Sequence, residues 1–312
     1  MTGPVEAKRG VGNILVTGGS GQVGYELVRA LAPLGHIVAP TSTEMNLADA
    51  DGIRAMVRNI APAVIVNAAA YTSVDRAEVD QECCFAINAH APGIFAEEAQ
   101  RLGAALVHYS TDYVFDGTKR TPYTEDDAPC PANVYGASKL AGEQAIASVG
   151  GGYVILRTSW VYGARGTNFL RTIRRLARER HELTVVSDQV GSPTWSRAIA
   201  GTTALVLGKL LGGSETTAEN VARASGVYHL TADGSTSWYD FARAIVADER
   251  ERGEVTCERI VPVTTAEYGA AAPRPLFSVL DNTKLRSRFD CAMPDWRTLL
   301  GLVLQDVASV GS

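Results

Sequence analysis

Apolar positions in the first half of the chain fall in short β-branched runs separated by longer stretches of helical periodicity. Residues 13–17 (NILVT), 36–39, 63–67 (AVIVN), 104–109 and 153–158 read as buried strands. Residues 25–34, 49–59, much of 75–102 and 135–149 read as helices. Gly35 and Pro62 end the first two helices, and Pro92 is expected to kink the third or mark its start, because proline lacks the N–H a helix interior needs. Strand and helix alternating at this length predict an α/β fold, a doubly wound parallel sheet of Rossmann type with ligands at the carboxyl ends of its strands. The second half is less regular. Helices at 168–180, 196–211 and 237–252, strands at 227–230 and 257–261, and a proline-marked stretch at 273–280 predict a smaller mixed α/β lobe over the crevice. The polar stretch 211–225 reads as a mobile loop.

Composition narrows the function classes. Hydrophobic residues make up 46% and charged residues 20%, and a net charge of -5 argues against a general nucleic-acid surface. The run RTIRRLARER at 171–180 is read as a solvated helix face, or as the source of one arginine for a diphosphate. Five cysteines at 83, 84, 130, 257 and 291 show no metal-ligand spacing, so reduced thiols in a cytoplasm are expected and disulfides are not. No run approaches the ~20 apolar residues of a membrane span, and residues 1–12 lack the apolar centre of a signal peptide. Composition leaves oligomeric state open; a homodimer is compatible with it.

The chemistry begins at Gly18-Gly19-Ser20-Gly21-Gln22-Val23-Gly24, between the first strand and the first helix. Gly18 permits the tight turn, Gly21 the approach of a pyrophosphate and Gly24 close helix packing, so the segment reads as a dinucleotide cradle at a helix N-terminus. Residues 13–160 are accordingly read as a dinucleotide-binding core that also receives later segments. Residues 161–312 are read mostly as a substrate lobe with segments returning to the core, and 1–12 as a flexible N-terminus. After the second strand stands Pro40-Thr41-Ser42-Thr43, with no acid to repel a 2′-phosphate and no arginine to bind one; this inclines the cofactor slightly towards NADPH over NADH. Asn46 and Leu47 follow at the adenine end. The small residues around Ala70-Tyr71-Thr72 would let backbone lie against the cofactor, or simply close a tightly packed strand end. Asn88 is read as a buried polar brace, with a proton path as the alternative.

Tyr135 and Lys139 lie four apart on one helix, either an ordinary surface pair or a proton donor with its supporting cation. A tyrosine hydroxyl holds its proton until about pH 10, and an ammonium beside it stabilises the phenolate. Thr111, at the end of the fourth strand, has a hydroxyl able to polarise the same carbonyl oxygen. Trp160 is read equally as a core aromatic or as a platform for a hexose ring. No metal is required, although Mg²⁺ at a carboxylate such as Glu26 is left open.

The strings TGGSGQVG at 17–24, YTSVDRAE at 71–78, NAHAPG at 88–93, STDYVFDG at 110–117, YGASKLAGE at 135–143, RTSWVYG at 157–163 and DQVGSPT at 188–194 together resemble the extended short-chain dehydrogenase/reductases. Within that superfamily they are most similar to the dTDP-4-dehydrorhamnose reductase family. The resemblance covers nearly everything after Gly12. It implies an NAD(P)H-dependent reductase of the C4 ketone of a dTDP-linked 4-keto-6-deoxyhexose, with Tyr135, Lys139 and Thr111 catalytic. It places Gly21, Gln22 and Val23 at the pyrophosphate, Asn46 and Leu47 at the adenine end, and Ala70, Tyr71 and Thr72 at the middle of the cofactor. Thr111, Asp112 and Trp160 fall at the sugar, with Tyr113 and Val74 nearby. Two positions depart from the pattern: Asn46 stands where the family usually has Asp, and Phe277 where it has Asn. A reductase of another 4-keto sugar, or a dinucleotide-binding regulatory subunit similar to methionine adenosyltransferase β, are the alternative readings.

Overall fold

The computed structural model describes residues 11–212, 217–253 and 255–309. Residues 1–10 of the expected flexible N-terminus and 213–216 of the expected mobile loop lie outside the described residues.

Five short strands, β1 (Asn13–Thr17), β2 (His36–Val38), β3 (Val64–Asn67), β4 (Ala105–Thr111) and β5 (Tyr153–Thr158), join a sixth from the second half, β7 (Gly226–His229). They form one parallel sheet in the order β7-β5-β4-β3-β1-β2. Between them run α1 (Gln22–Ala30), α2 (Ala50–Ile60), α3 (Ala91–Leu102) and α4 (Val134–Val149). Alternate residues of each strand face opposite layers. Val16, Val66, Val107 and Leu156 meet α1 and α6 (Ser196–Leu211), whereas Leu15, Ile65, Leu106 and Ile155 meet α2, α3 and α4. Parallel strands covered on both faces read as continuous apolar runs, which is why these segments stand out in the sequence.

Local signals set the helix ends. Asp49 and Asn133 cap α2 and α4 by accepting backbone N–H groups of Gly52 and Gly136, and α4 stops at Gly150 in the left-handed region. The expected helical stretch 75–102 is broken into Val74–Ala77, Gln81–Phe85, a π-helical turn at Ala86–His90 and α3, with Pro92 in the first turn of α3 directly after the π-helical turn.

The second half supplies α5 (Phe169–Glu179), β6 (Glu182–Val186), α7 (Trp238–Glu251), β8 (Arg259–Val263) and α8 (Trp296–Ser309). β6 pairs in parallel with β8, and short bridges join 161–162 to 194–195 and 190–191 to 236–237. Part of the stretch expected to be a loop is helical: Thr217–Arg223 has helix-forming Ala, Glu and Arg, and Val221 within it is buried against Gly152. All five cysteines are free. Among the described residues no helix is long and apolar enough to cross a membrane.

Candidate active site

The glycine turn, the ends of β3, β4 and β5, the start of α4 and the segment after Tyr162 enclose a crevice of about 600 Å³. Gly18 has φ +69° and abuts the backbone of Ala69, and a Cβ at Gly24 would lie 2.0 Å from the carbonyl oxygen of Gly18. Only glycine fits either position. Gly21 caps α1 without a side-chain hydrogen bond, so first-turn N–H groups are left to face an anion. Gly18, Gly21, Gln22, Val23 and Gly24 all line the crevice. These features fit a dinucleotide pyrophosphate.

An adjoining hollow of about 200 Å³ is lined by Pro40, Ser42, Asn46, Leu47 and Ile87, which suits the adenine end. Thr41 does not project a free donor there; its N–H and Oγ1 both bond Glu44 Oε2, at 2.7 and 2.9 Å. These two bonds hold the Glu44 carboxyl below its ordinary range. Ala70 and Thr72 line the crevice. Tyr71 does not line the crevice; its hydroxyl donates to Asp80 at 3.0 Å. Asn88 braces the Tyr71 backbone: it accepts from Tyr71 N at 2.9 Å and donates to Tyr71 O and to Ser138 Oγ, each at 3.0 Å.

Tyr135 and Lys139 both line the crevice from α4. Burial pushes the Tyr135 phenol up to about 12, with the Thr111 hydroxyl pulling it down and the Asp112 carboxylate adding to the rise. Burial lowers Lys139 to about 8, against the opposing pull of Glu143. The lysine's hydrogen bonds go to β4 and not to the Tyr135 hydroxyl: Nζ donates to Tyr109 O at 2.6 Å and lies 3.3 Å from His108 Nε2. Thr111 Oγ1 donates to Asp112 Oδ1 at 3.1 Å and accepts from Tyr113 N at 3.2 Å. Asp112 is 2% exposed, and burial raises its carboxyl to about 7, opposed by the Ser278 and Thr111 hydroxyls.

Asp112, Tyr113, Val74 and Trp160 also line the crevice. Trp160 is packed as a core aromatic and also reaches the crevice. One ring face stacks on Trp238 at 3.6 Å and 5°, while the residue still borders the crevice. Its φ of +46° is strained for a tryptophan, the kind of backbone cost that surrounding structure must impose. Glu26, considered for Mg²⁺, is paired with Arg197 at 3.2 Å, and Arg197 also reaches Asp306 at 2.5 Å. Both carboxylates are engaged by the same guanidinium, and among the described residues no third metal-ligating side chain joins them, so the residues present do not fit a cation at Glu26.

Residues missed from the sequence are His108, beside Lys139, and Glu143, which forms a buried bidentate pair with Arg157 at 2.9 and 2.6 Å. Glu143 follows Lys139 by four on α4, a helical spacing that offered a signal. His108 lay inside an apolar run that gave none.

A Rossmann sheet with a glycine cradle, and a tyrosine and lysine on one helix facing a strand-end threonine, defines the extended short-chain dehydrogenase/reductase class. The family model described as "RmlD substrate binding domain" matches residues 12–309. A dTDP-4-dehydrorhamnose reductase of Burkholderia thailandensis is 49% identical over 301 residues, 95% of this chain and 99% of that protein. One from Escherichia coli K12 is 41% identical over 300 residues, 95% and 98%. The crystal structure of dTDP-4-dehydrorhamnose reductase from Bacillus anthracis in complex with NADP superposes with a TM-score of 0.83 at 35% identity, covering 94% and 99% of the two chains. The chain belongs to the dTDP-4-dehydrorhamnose reductase family.

Proposed function

We propose that this chain reduces the C4 ketone of dTDP-4-dehydro-L-rhamnose to give dTDP-L-rhamnose. The observation that carries the reading is convergence: Gly21, Thr111 and Tyr135, from three separate stretches of the chain, border one crevice at the carboxyl edge of the sheet. When bound, the dinucleotide supplies the hydride. Tyr135, whose proton is held well above neutral pH, donates it to the ketone oxygen. Lys139 as an ammonium stabilises the resulting phenolate, and Thr111 turns its hydroxyl from Asp112 to the same oxygen. Val74, Asp112, Tyr113 and Trp160 border the space for the sugar. Both reduced nicotinamide dinucleotides are cofactors in this reading, with NADPH preferred, because no acid lines the adenine-end hollow. The five unpaired cysteines support a cytoplasmic location.

Incubation with the dTDP-linked ketosugar and either cofactor, followed by NMR of the product, tests the assignment. A product with the L-rhamno configuration supports it. Turnover only of another 4-keto sugar moves the substrate, and dinucleotide binding plus affinity for a methionine adenosyltransferase without turnover would establish a regulatory subunit instead.

A further inference from the structure

Beneath the crevice three adjacent strands carry a row of buried polar side chains that the mechanism above leaves unused. Thr17 on β1, Asn67 on β3 and His108 on β4 are register partners across the sheet, and they are 3%, 1% and 1% exposed. Thr17 Oγ1 donates to Asn67 Oδ1 at 2.6 Å, Asn67 Nδ2 faces His108 Nδ1 at 3.1 Å, and His108 Nε2 faces Lys139 Nζ at 3.3 Å. Thr17 Oγ1 also accepts the Ala69 N–H at 3.2 Å, which ties the row to the wall of the cofactor crevice. Polar groups in a sheet interior are costly unless each is satisfied, and here each finds its neighbour.

We propose that His108 is a positioning residue for Lys139: its neutral ring accepts a hydrogen bond from the ammonium and, braced through Asn67 and Thr17, fixes that cation beneath the crevice. The proposal rests on Lys139 being the cation of the reductase reading.

An ammonium only donates, so a charged Lys139 requires a bare Nε2. The ring proton then sits on Nδ1 and donates to the amide oxygen of Asn67. An uncharged Lys139 accepts instead; the ring proton moves to Nε2, and Nδ1 accepts from Asn67 Nδ2, the amide orientation that the Thr17 bond to Oδ1 matches. The row thus has one arrangement for each charge state of Lys139. They differ by one amide rotation, the matching turn of the Thr17 hydroxyl from donor to acceptor, and one tautomer exchange, with no charge on His108. Burial, reinforced by the lysine, holds the ring neutral. The other groups facing Lys139 are Glu143 on its own helix, itself paired with Arg157 on β5, and Cys84 on the Gln81–Phe85 helix; both favour the ammonium.

Nitrogen-15 NMR of the His108 ring in the full-length protein, titrated across the Lys139 midpoint near 8, tests this directly. The expected result is a neutral Nδ1–H tautomer below the midpoint and a neutral Nε2–H tautomer above it. One unchanging tautomer, or an imidazolium, overturns the proposal. In turnover, His108→Leu removes the acceptor and is expected to move the alkaline limb of kcat down by about one pH unit, the size of a hydrogen bond to a charged group. His108→Gln, whose carbonyl accepts, returns the limb towards the native position. A limb unmoved in a His108→Leu protein that still binds dinucleotide also overturns it. If native protein reduces no ketosugar, the functional reading fails by itself, because the ring tautomer is read without substrate.

Discussion

Replacing Tyr135 by phenylalanine removes one hydroxyl and little else. The ring packs edge-on against Tyr113, with centroids 5.5 Å apart and planes at 78°, and phenylalanine retains that packing. With its pKa raised to about 12 by burial, the native phenol carries its proton at neutral pH. Loss of a positioned general acid typically costs about a hundred to ten-thousand-fold, or about 3 to 5 kcal/mol of barrier. The Thr111 hydroxyl remains as a donor to the ketone oxygen and sets the residual rate. The loss belongs in kcat, because the glycine cradle and adenine-end hollow are untouched. Steady-state kinetics with the ketosugar, alongside dinucleotide titration by fluorescence, separates the two effects. Turnover within a few-fold of native would refute Tyr135 as the proton donor; a collapse of dinucleotide affinity would assign the loss to binding.

Three further outcomes follow from particular contacts. Gly24→Ala drives a methyl into the Gly18 carbonyl, and the forced shift of the cradle should weaken dinucleotide binding about tenfold or more, measured by calorimetry. Glu143→Ala strands the Arg157 guanidinium, whose side chain is 4% exposed, and should lower stability by about 3–5 kcal/mol in urea unfolding. Asp112 binds its proton more tightly in the folded state, near 7 against 3.8, so this group's stabilisation is present at low pH and lost as pH rises through 7. Asp112→Asn should therefore raise Tm relative to native more above pH 7 than in acid, and an equal shift at both would contradict the buried-carboxyl account.

Much of this site was visible in the chain because its parts are local. The strand, glycine turn and helix at 13–30 are contiguous, and Tyr135 and Lys139 share one helix whose cap, Asn133, immediately precedes them. Trp160 was legible as an aromatic at a strand end, although its stacking on Trp238, 78 positions later, was not. What escaped depends on register. Thr17, Asn67 and His108 are separated by 50 and 41 positions and become neighbours only once β3 lies between β1 and β4. β6 escaped for a similar reason: its partner, β8, lies over 70 residues away, and its burial alternates too briefly to stand out. At Tyr71 the sequence does not show that backbone and side chain serve different neighbours, Asn88 and Asp80.

The central claim is that a nicotinamide hydride reaches C4 of a dTDP-linked ketosugar in this crevice. The most direct measurement follows deuterium from reduced dinucleotide labelled at its reactive carbon into the sugar product by NMR. The account predicts deuterium at C4 in the L-rhamno configuration, with transfer depressed by at least about a hundredfold in Tyr135→Phe. Deuterium at another carbon, or oxidised cofactor with none in the sugar, would contradict it.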